Sequence, residues 1–329
     1  MSELEADFLV LQYEDLCRHL TFLCVGTGVE FKYASKAVNI KSVGGSVTVV
    51  LEDGRNVEGD IAIGADGHNS LVRSIVAEED LEPIHVVPGA NISILTQLMQ
   101  EDEDLRDLCN THQSEFTIWM GSGSSMTGTF DANAETFNLS ICSMTTSILP
   151  TPSGYDPRLQ KLIQLGYAYR PTLHKIFEIE DVVGLDGKVV LVGDAAHSVL
   201  VHGSHNSSMA IEDAVTLGTL FSHLTHRRHI PLLLNAYEEI RHPRTSATQT
   251  SEYQSLSQIS LPSGAHQEAR DEALRLTLSK TFEDFENCED SDMLVEAWEQ
   301  YLVLFSHDAS EEADSWWSKW GAMMERTMI

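Results

Sequence analysis

The stretch that decides how this chain reads is Lys188-Val189-Val190-Leu191-Val192-Gly193-Asp194-Ala195-Ala196-His197. Four consecutive apolar residues, too short for a helix and rich in valine, predict a buried strand over Val189–Val192. The strand runs straight into Gly-Asp. A second stretch repeats the arrangement: Ile61-Ala62-Ile63 is read as a buried strand, and Gly64-Ala65-Asp66-Gly67-His68-Asn69-Ser70-Leu71-Val72-Arg73 follows it. A strand that ends in Gly and Asp ahead of a helix lets an α/β fold offer backbone N–H groups and a carboxylate to a ligand.

Within the first stretch, Gly193 has no Cβ, so another molecule can approach its backbone closely. Asp194 supplies acceptors suited to hydroxyl groups. Within the second, Asp66-Gly67 predicts a turn, and Ser70 is placed to cap the helix begun by Leu71-Val72-Arg73. Asp66 and Arg73 admit two readings, as ligand contacts or as a cap on backbone amides and a salt-bridge partner. Downstream, Val201 to Asn206 leads into a helix expected from Ser207 to Leu224. Pro231 opens a further helix through Tyr237-Glu238-Glu239-Ile240-Arg241-His242-Pro243-Arg244.

Upstream, Leu9, Tyr13, Leu16, Leu20 and Leu23 recur at helical spacing and are expected to share one face. Strands are expected at Val38 to Ile40 and at Val47 to Leu51, with Asp53-Gly54 as a hairpin turn. From Leu81 the character changes. Strand-like runs at Asn91–Leu98, Phe116–Met120, Met126–Phe130 and Thr136–Ser143, separated by Gly/Ser/Asn turns, predict an antiparallel sheet. The stretch beyond Arg244 reads as helical and acidic, with Trp316 and Trp320 four apart on one helix face, docked on the chain's own core. Four segments follow from this: 1–80, 81–182, 183–245 and 246–329.

Composition narrows the partners. The chain has 329 residues and a formal net charge of −29, which argues against nucleic acid and anionic membrane surfaces. Its runs of Asp and Glu read as solvated loops and helix faces. Five cysteines without a Cys-x-x-Cys pair, and the absence of a signal-peptide pattern, favour free thiols and a cytoplasmic setting. No apolar run approaches the roughly 20 residues of a membrane span. A small-molecule substrate is the partner expected. His197, His202 and His205 are close in sequence, but no cysteine joins them at ligand spacing and no metal is expected. A Gly-x-Ser-x-Gly elbow is absent, which leaves a hydrolase reading without support.

Both Gly/Asp stretches resemble signatures of the single-component FAD-dependent aromatic-ring monooxygenases, the group that includes salicylate and p-hydroxybenzoate hydroxylases. Met209-Ala210-Ile211-Glu212-Asp213-Ala214 and the Tyr237 to Arg244 stretch resemble later motifs of the same family. The resemblance covers most of Leu9 to Arg244. It implies an α/β fold: an incomplete three-layer FAD-binding domain, an inserted antiparallel sheet that binds substrate, and a helical C-terminal segment. It implies FAD as cofactor and NAD(P)H as transient co-substrate. Asp194 and Gly193 would hold the ribityl chain, while Asp66, Gly67 and Arg73 would lie near the pyrophosphate and the nicotinamide donor. His205, Asn206 and Ser207 would meet the flavin ring at the head of their helix.

The sequence also departs from the family. Val201 stands where the family has Pro, Ser204-His205-Asn206 where it has Gly-Gln-Gly, and Tyr13 where it has Arg. The family's Gly-x-Gly-x-x-Gly loop is missing, since Gly26-Thr27-Gly28 continues as Val29-Glu30-Phe31. Two activities stay open. One is an FAD- and NAD(P)H-dependent hydroxylation of an aromatic or related small molecule. The other is an N-terminally incomplete or non-catalytic homologue that does not retain FAD.

Overall fold

A computed structural model describes residues 11, 13–110, 116–131, 133–145, 155–198, 203, 205–277, 303–321 and 323. The first half contains α1 (Tyr13–Gly26), β1 (Ala37–Val43), β2 (Ser46–Leu51), β3 (Asn56–Gly59), β4 (Ala62–Gly64), α2 (Leu71–Val76), β5 (His85–Leu95), α3 (Thr96–Glu101), β6 (Thr117–Gly121), β7 (Ser124–Phe130) and β8 (Thr136–Ser143). The second half contains α4 (Pro157–Leu165), β9 (Ala168–Ile176), β10 (Val183–Gly184), β11 (Val189–Leu191), α5 (Asp194–His197), α6 (Asn206–Ser222), α7 (Ile230–Ile259), α8 (Ala265–Thr277) and α9 (Ala309–Trp316). The fold is mixed α/β with antiparallel sheets and helices toward the C-terminus, as the sequence predicts.

Contacts divide the chain into two compact units. One comprises Met1–Phe31, Val87–Leu173 and Gln254–His307; the other comprises Lys32–Val86, His174–Tyr253 and Asp308–Ile329.

The first unit is organised by the five-stranded sheet β6-β7-β8-β5-β9. Strict alternation along β8 sends Phe137, Leu139 and Ile141 to one face, where they meet Ile92 and Ile94 of β5 and Met126 of β7. Leu159 and Leu162 of α4 and Met99 of α3 close this core. Pro157 and the side chain of Asp156, which accepts from Arg158 N, start α4. The expected strand over Asn91–Leu98 stops at Leu95, because Thr96 onward turns into α3 with Met99 buried. Strand β9 was not foreseen: its Tyr-Arg-Pro-Thr-Leu run lacks clean alternation. Helix α1 forms as its spacing predicts, but it has no buried residue, and Leu20 and Leu23 are 45% and 61% exposed. Leu9 lies outside the described residues, as does the loop expected at Pro150 to Gly154.

In the second unit, β1-β2-β3 form a meander whose second turn carries Asp53-Gly54, as predicted. Strand β4 follows it directly and joins the short sheet β10-β11-β4, in which β11 is the central strand. All three residues of β11 are fully buried, which matches the uninterrupted valine and leucine run. The Ile61–Ile63 strand is less buried than predicted: Ile63 is 50% exposed. Its strand lies at the edge of the described sheet. The core continues through Leu217 and Leu220 of α6, Leu233, Leu234, Tyr237 and Ile240 of α7, and Ala313 and Trp316 of α9. Helix α7 runs on past the expected Arg244 and carries Pro243 in its interior. The two tryptophans part company: Trp316 is buried and Trp320 is 49% exposed. Beyond Trp316 the winding changes to a π-helix over Trp317–Gly321.

Candidate functional site

Two adjacent parallel strands position the site. Strand β11 pairs with β4 in register, Val190 opposite Ile63 and Leu191 opposite Gly64, and Val192 N donates to Gly64 O at 3.0 Å. Both Gly/Asp turns therefore leave the same carboxyl edge of the sheet, where open α/β sheets bind ligands. Gly64 makes this packing possible, since a Cβ there would sit 2.7 Å from Val72 Cβ on α2.

The first turn spends its carboxylate on its own helix. Asp66 Oδ2 accepts from Leu71 N (2.7 Å) and Val72 N (3.1 Å), and Oδ1 accepts from Ser70 Oγ (2.5 Å). Ser70 Oγ in turn accepts from Arg73 N at 2.8 Å, the N-cap its position predicts. Gly67 takes φ +77, a region that side chains disfavour, and completes the turn. Arg73 is 5% exposed and makes no salt bridge among the described residues. It donates from Nη2 to His68 O (2.7 Å) and from Nη1 to Ala195 O (3.3 Å) and Asp194 O (3.5 Å), and its guanidinium lies 3.8 Å over the Phe177 ring. Burial lowers its pKa and Asp66 partly restores it. Arg73 thus fastens one turn to the other through backbone carbonyls, and the salt-bridge reading is corrected.

The second turn does the opposite. Gly193 adopts φ 58, ψ −144, a conformation open to glycine alone, and its carbonyl accepts from Ala196 N and His197 N to start α5. Asp194 stands at the head of α5, and among the described residues its carboxylate accepts no hydrogen bond. Partial burial raises its pKa, against the pull of the nearby His197 and His68 rings. His68 is exposed, and its place beside Asp194 was not anticipated.

A buried network underlies this turn. Asp213 of α6 is fully buried. Its Oδ2 accepts from Gly193 N (2.7 Å) and His197 Nε2 (2.6 Å), and its Oδ1 accepts from Arg241 Nε (2.8 Å). Arg241 also donates to Glu212 Oε2 (2.7 Å) and Met209 O (3.2 Å), and Arg244 Nη2 donates to Glu212 Oε1 (3.0 Å). Burial alone would raise both carboxyls; the His197 and Arg241 contacts hold Asp213 below the usual range, and Arg244 and Arg241 do the same for Glu212. Tyr237 OH donates to Leu191 O at 3.2 Å and anchors the strand itself. The sequence contained both partner stretches, but nothing in either spelled out a contact across 28 residues.

At the head of α6, His205 is the N-cap, with no side-chain cap bond, and is buried. Its N donates to Glu252 Oε1 at 3.0 Å, and Gly203 packs so closely on Glu252 that no Cβ fits there. Asn206 and Ser207 open the helix, Ser207 half-buried. Val201, His202 and Ser204 lie outside the described residues.

The protein family described as an FAD binding domain matches residues 184–251, the span from β10 through Gly193-Asp194 into α7. An FAD-dependent monooxygenase, ntnJ, from Nectria sp is 28% identical over 242 residues, covering 69% of this chain and 57% of that protein. The salicylate hydroxylase of Pseudomonas putida is 26% identical over 250 residues, covering 68% and 57%. The matched span is an FAD binding domain, and the relatives it resembles are FAD-dependent monooxygenases. The crystal structure of CtdE in complex with FAD and a substrate superposes with a TM-score of 0.70 at 12% identity, over 93% of this chain and 73% of that one; at that identity the likeness concerns the fold. The chain spans less than two thirds of the length of these two curated relatives.

Proposed function

We propose that this chain holds FAD and serves a cytoplasmic monooxygenase that hydroxylates an aromatic or related small molecule, with NAD(P)H as transient reductant. One observation carries the reading: Asp194 stands at the carboxyl end of β11 with a carboxylate that no described residue occupies. A partly buried carboxylate with a raised pKa, on a turn fixed from beneath, is poised to exchange water for hydroxyl donors. That donor set fits the sugar-alcohol chain of FAD.

FAD, when bound, supplies the electron and oxygen chemistry. The chain's own residues bind and orient. Asp194 would accept from ribityl hydroxyls, Gly193 would allow close approach, and Arg73 would keep the two turns in register. The first-turn amides at Asn206 and Ser207, at the positive end of the 17-residue α6, would favour negative charge nearby.

A second reading, a homologue that does not retain FAD, also rests on a specific observation. A pyrophosphate seat is a glycine-rich turn between a strand and a helix, yet Gly26-Thr27-Gly28 sits at the C-terminal end of helix α1. Reconstitution with excess FAD separates the two readings. The flavin reading expects a yellow protein after gel filtration, with affinity that falls about ten- to a hundredfold in Asp194→Ala, the effect of losing charge-assisted hydrogen bonds. Colourless protein supports the second reading.

A further inference from the structure

Asp213 touches nothing outside the fold, yet one of its oxygens grips both ends of the segment 193–197: Gly193 N at 2.7 Å and His197 Nε2 at 2.6 Å. An ionised carboxylate only accepts, so His197 donates from Nε2. The other oxygen is held by Arg241, whose remaining nitrogens go to Glu212 and Met209 O. Gly193 needs such a grip. Its φ 58, ψ −144 is a sparsely populated conformation that persists only where surrounding contacts over-determine it.

We propose that Asp213, itself fixed by Arg241, is the positioning residue of the Gly193–Asp194 turn and sets where Asp194 presents its carboxylate. The flavin reading above supplies the ligand arm of the test, while the turn itself can be examined without any ligand. Asparagine is the informative replacement. It has one acceptor oxygen, and either orientation of its amide sets an NH2 against donors: Gly193 N and His197 on one side, Arg241 on the other. Asp213→Asn must therefore release one set of contacts while keeping the size of the side chain.

The test has two arms. In ligand-free protein, amide hydrogen exchange is followed at Gly193, with Leu191 as reference because its N–H donates to Val182 O at 2.9 Å. Asp213→Asn should speed exchange at Gly193 by about tenfold or more, leaving Leu191 protected. Arg241→Lys keeps the charge but loses the fork, and it should shift Gly193 in the same direction by less; it also stands in if the Asn variant does not fold. Gly193 exchange at the wild-type rate in the variants overturns the proposal.

In the second arm, FAD affinity is measured across a double-mutant cycle with Asp194→Ala. Asp213→Asn should weaken binding about tenfold when Asp194 is present and add nothing when it is absent. Equal losses in both backgrounds contradict action through Asp194. Wild-type protein that binds no FAD overturns the functional reading alone, and the exchange arm still decides the positioning role.

Discussion

The Asp66 turn and the Asp194 turn leave neighbouring parallel strands at one sheet edge, both as Gly and Asp followed by a helix, yet they use their carboxylates oppositely. Asp66 is committed to Ser70 Oγ and the amides of Leu71 and Val72, and so works as a helix cap. Asp194 has no such partner among the described residues, and its turn is secured by a different residue, Asp213. The contrast teaches that a Gly/Asp motif is free for a ligand only when something else satisfies the backbone around it. In the first turn the motif residue stabilises the fold. In the second, that task has moved to α6 and α7, and the motif residue is left available.

The largest effect that sharpens this contrast is expected at Arg241. Arg241→Ala leaves Asp213 and Glu212 buried without their shared cation, a loss of about 3–5 kcal/mol by analogy with other buried pairs; chemical denaturation should show it. Asp66→Ala removes a cap that serves two amides and a hydroxyl, and should cost about 1–2 kcal/mol, read as a lowered melting temperature. Asp194→Asn is expected to move the other way. Its folded pKa is raised, so ionisation at neutral pH disfavours the folded state, and replacing it should raise the melting temperature slightly at pH 7. That gain should vanish below about pH 4, where the wild-type carboxyl is protonated in both states. The opposite sign holds for Asp213: its lowered pKa gives stability that is present above about pH 4 and lost as pH falls through the folded value. Melting curves of the wild type and both variants across that range check all of these signs. Asp66→Ala without destabilisation, or Asp194→Asn as damaging as Asp66→Ala, would break the contrast.

Much of this was legible from the chain alone. The valine run of β11, the alternation along β8 and the Ser70 cap are local signals, and each formed as read. Other features depend on neighbours that sequence spacing does not name. Ile63 is half exposed, Leu20 and Leu23 of α1 are exposed despite their helical spacing, and Trp320 is exposed although Trp316, four residues before it, is buried. The Asp213–Arg241 contact joins two helices through side chains 28 residues apart, and Arg73 reaches carbonyls more than 120 residues away. Such contacts arise from packing. The sequence could mark these residues as charged and helical, but it could not say that they secure the turn.

Titrating FAD into the wild type, Asp194→Asn and Asp66→Asn in parallel separates a carboxylate left free for a ligand, Asp194, from one committed to its own helix, Asp66. The wild type should bind flavin, Asp194→Asn should lose about ten- to a hundredfold in affinity without loss of thermal stability, and Asp66→Asn should show a smaller loss of affinity accompanied by a lowered melting temperature. Asp194→Asn that binds FAD as tightly as the wild type would contradict this division of roles.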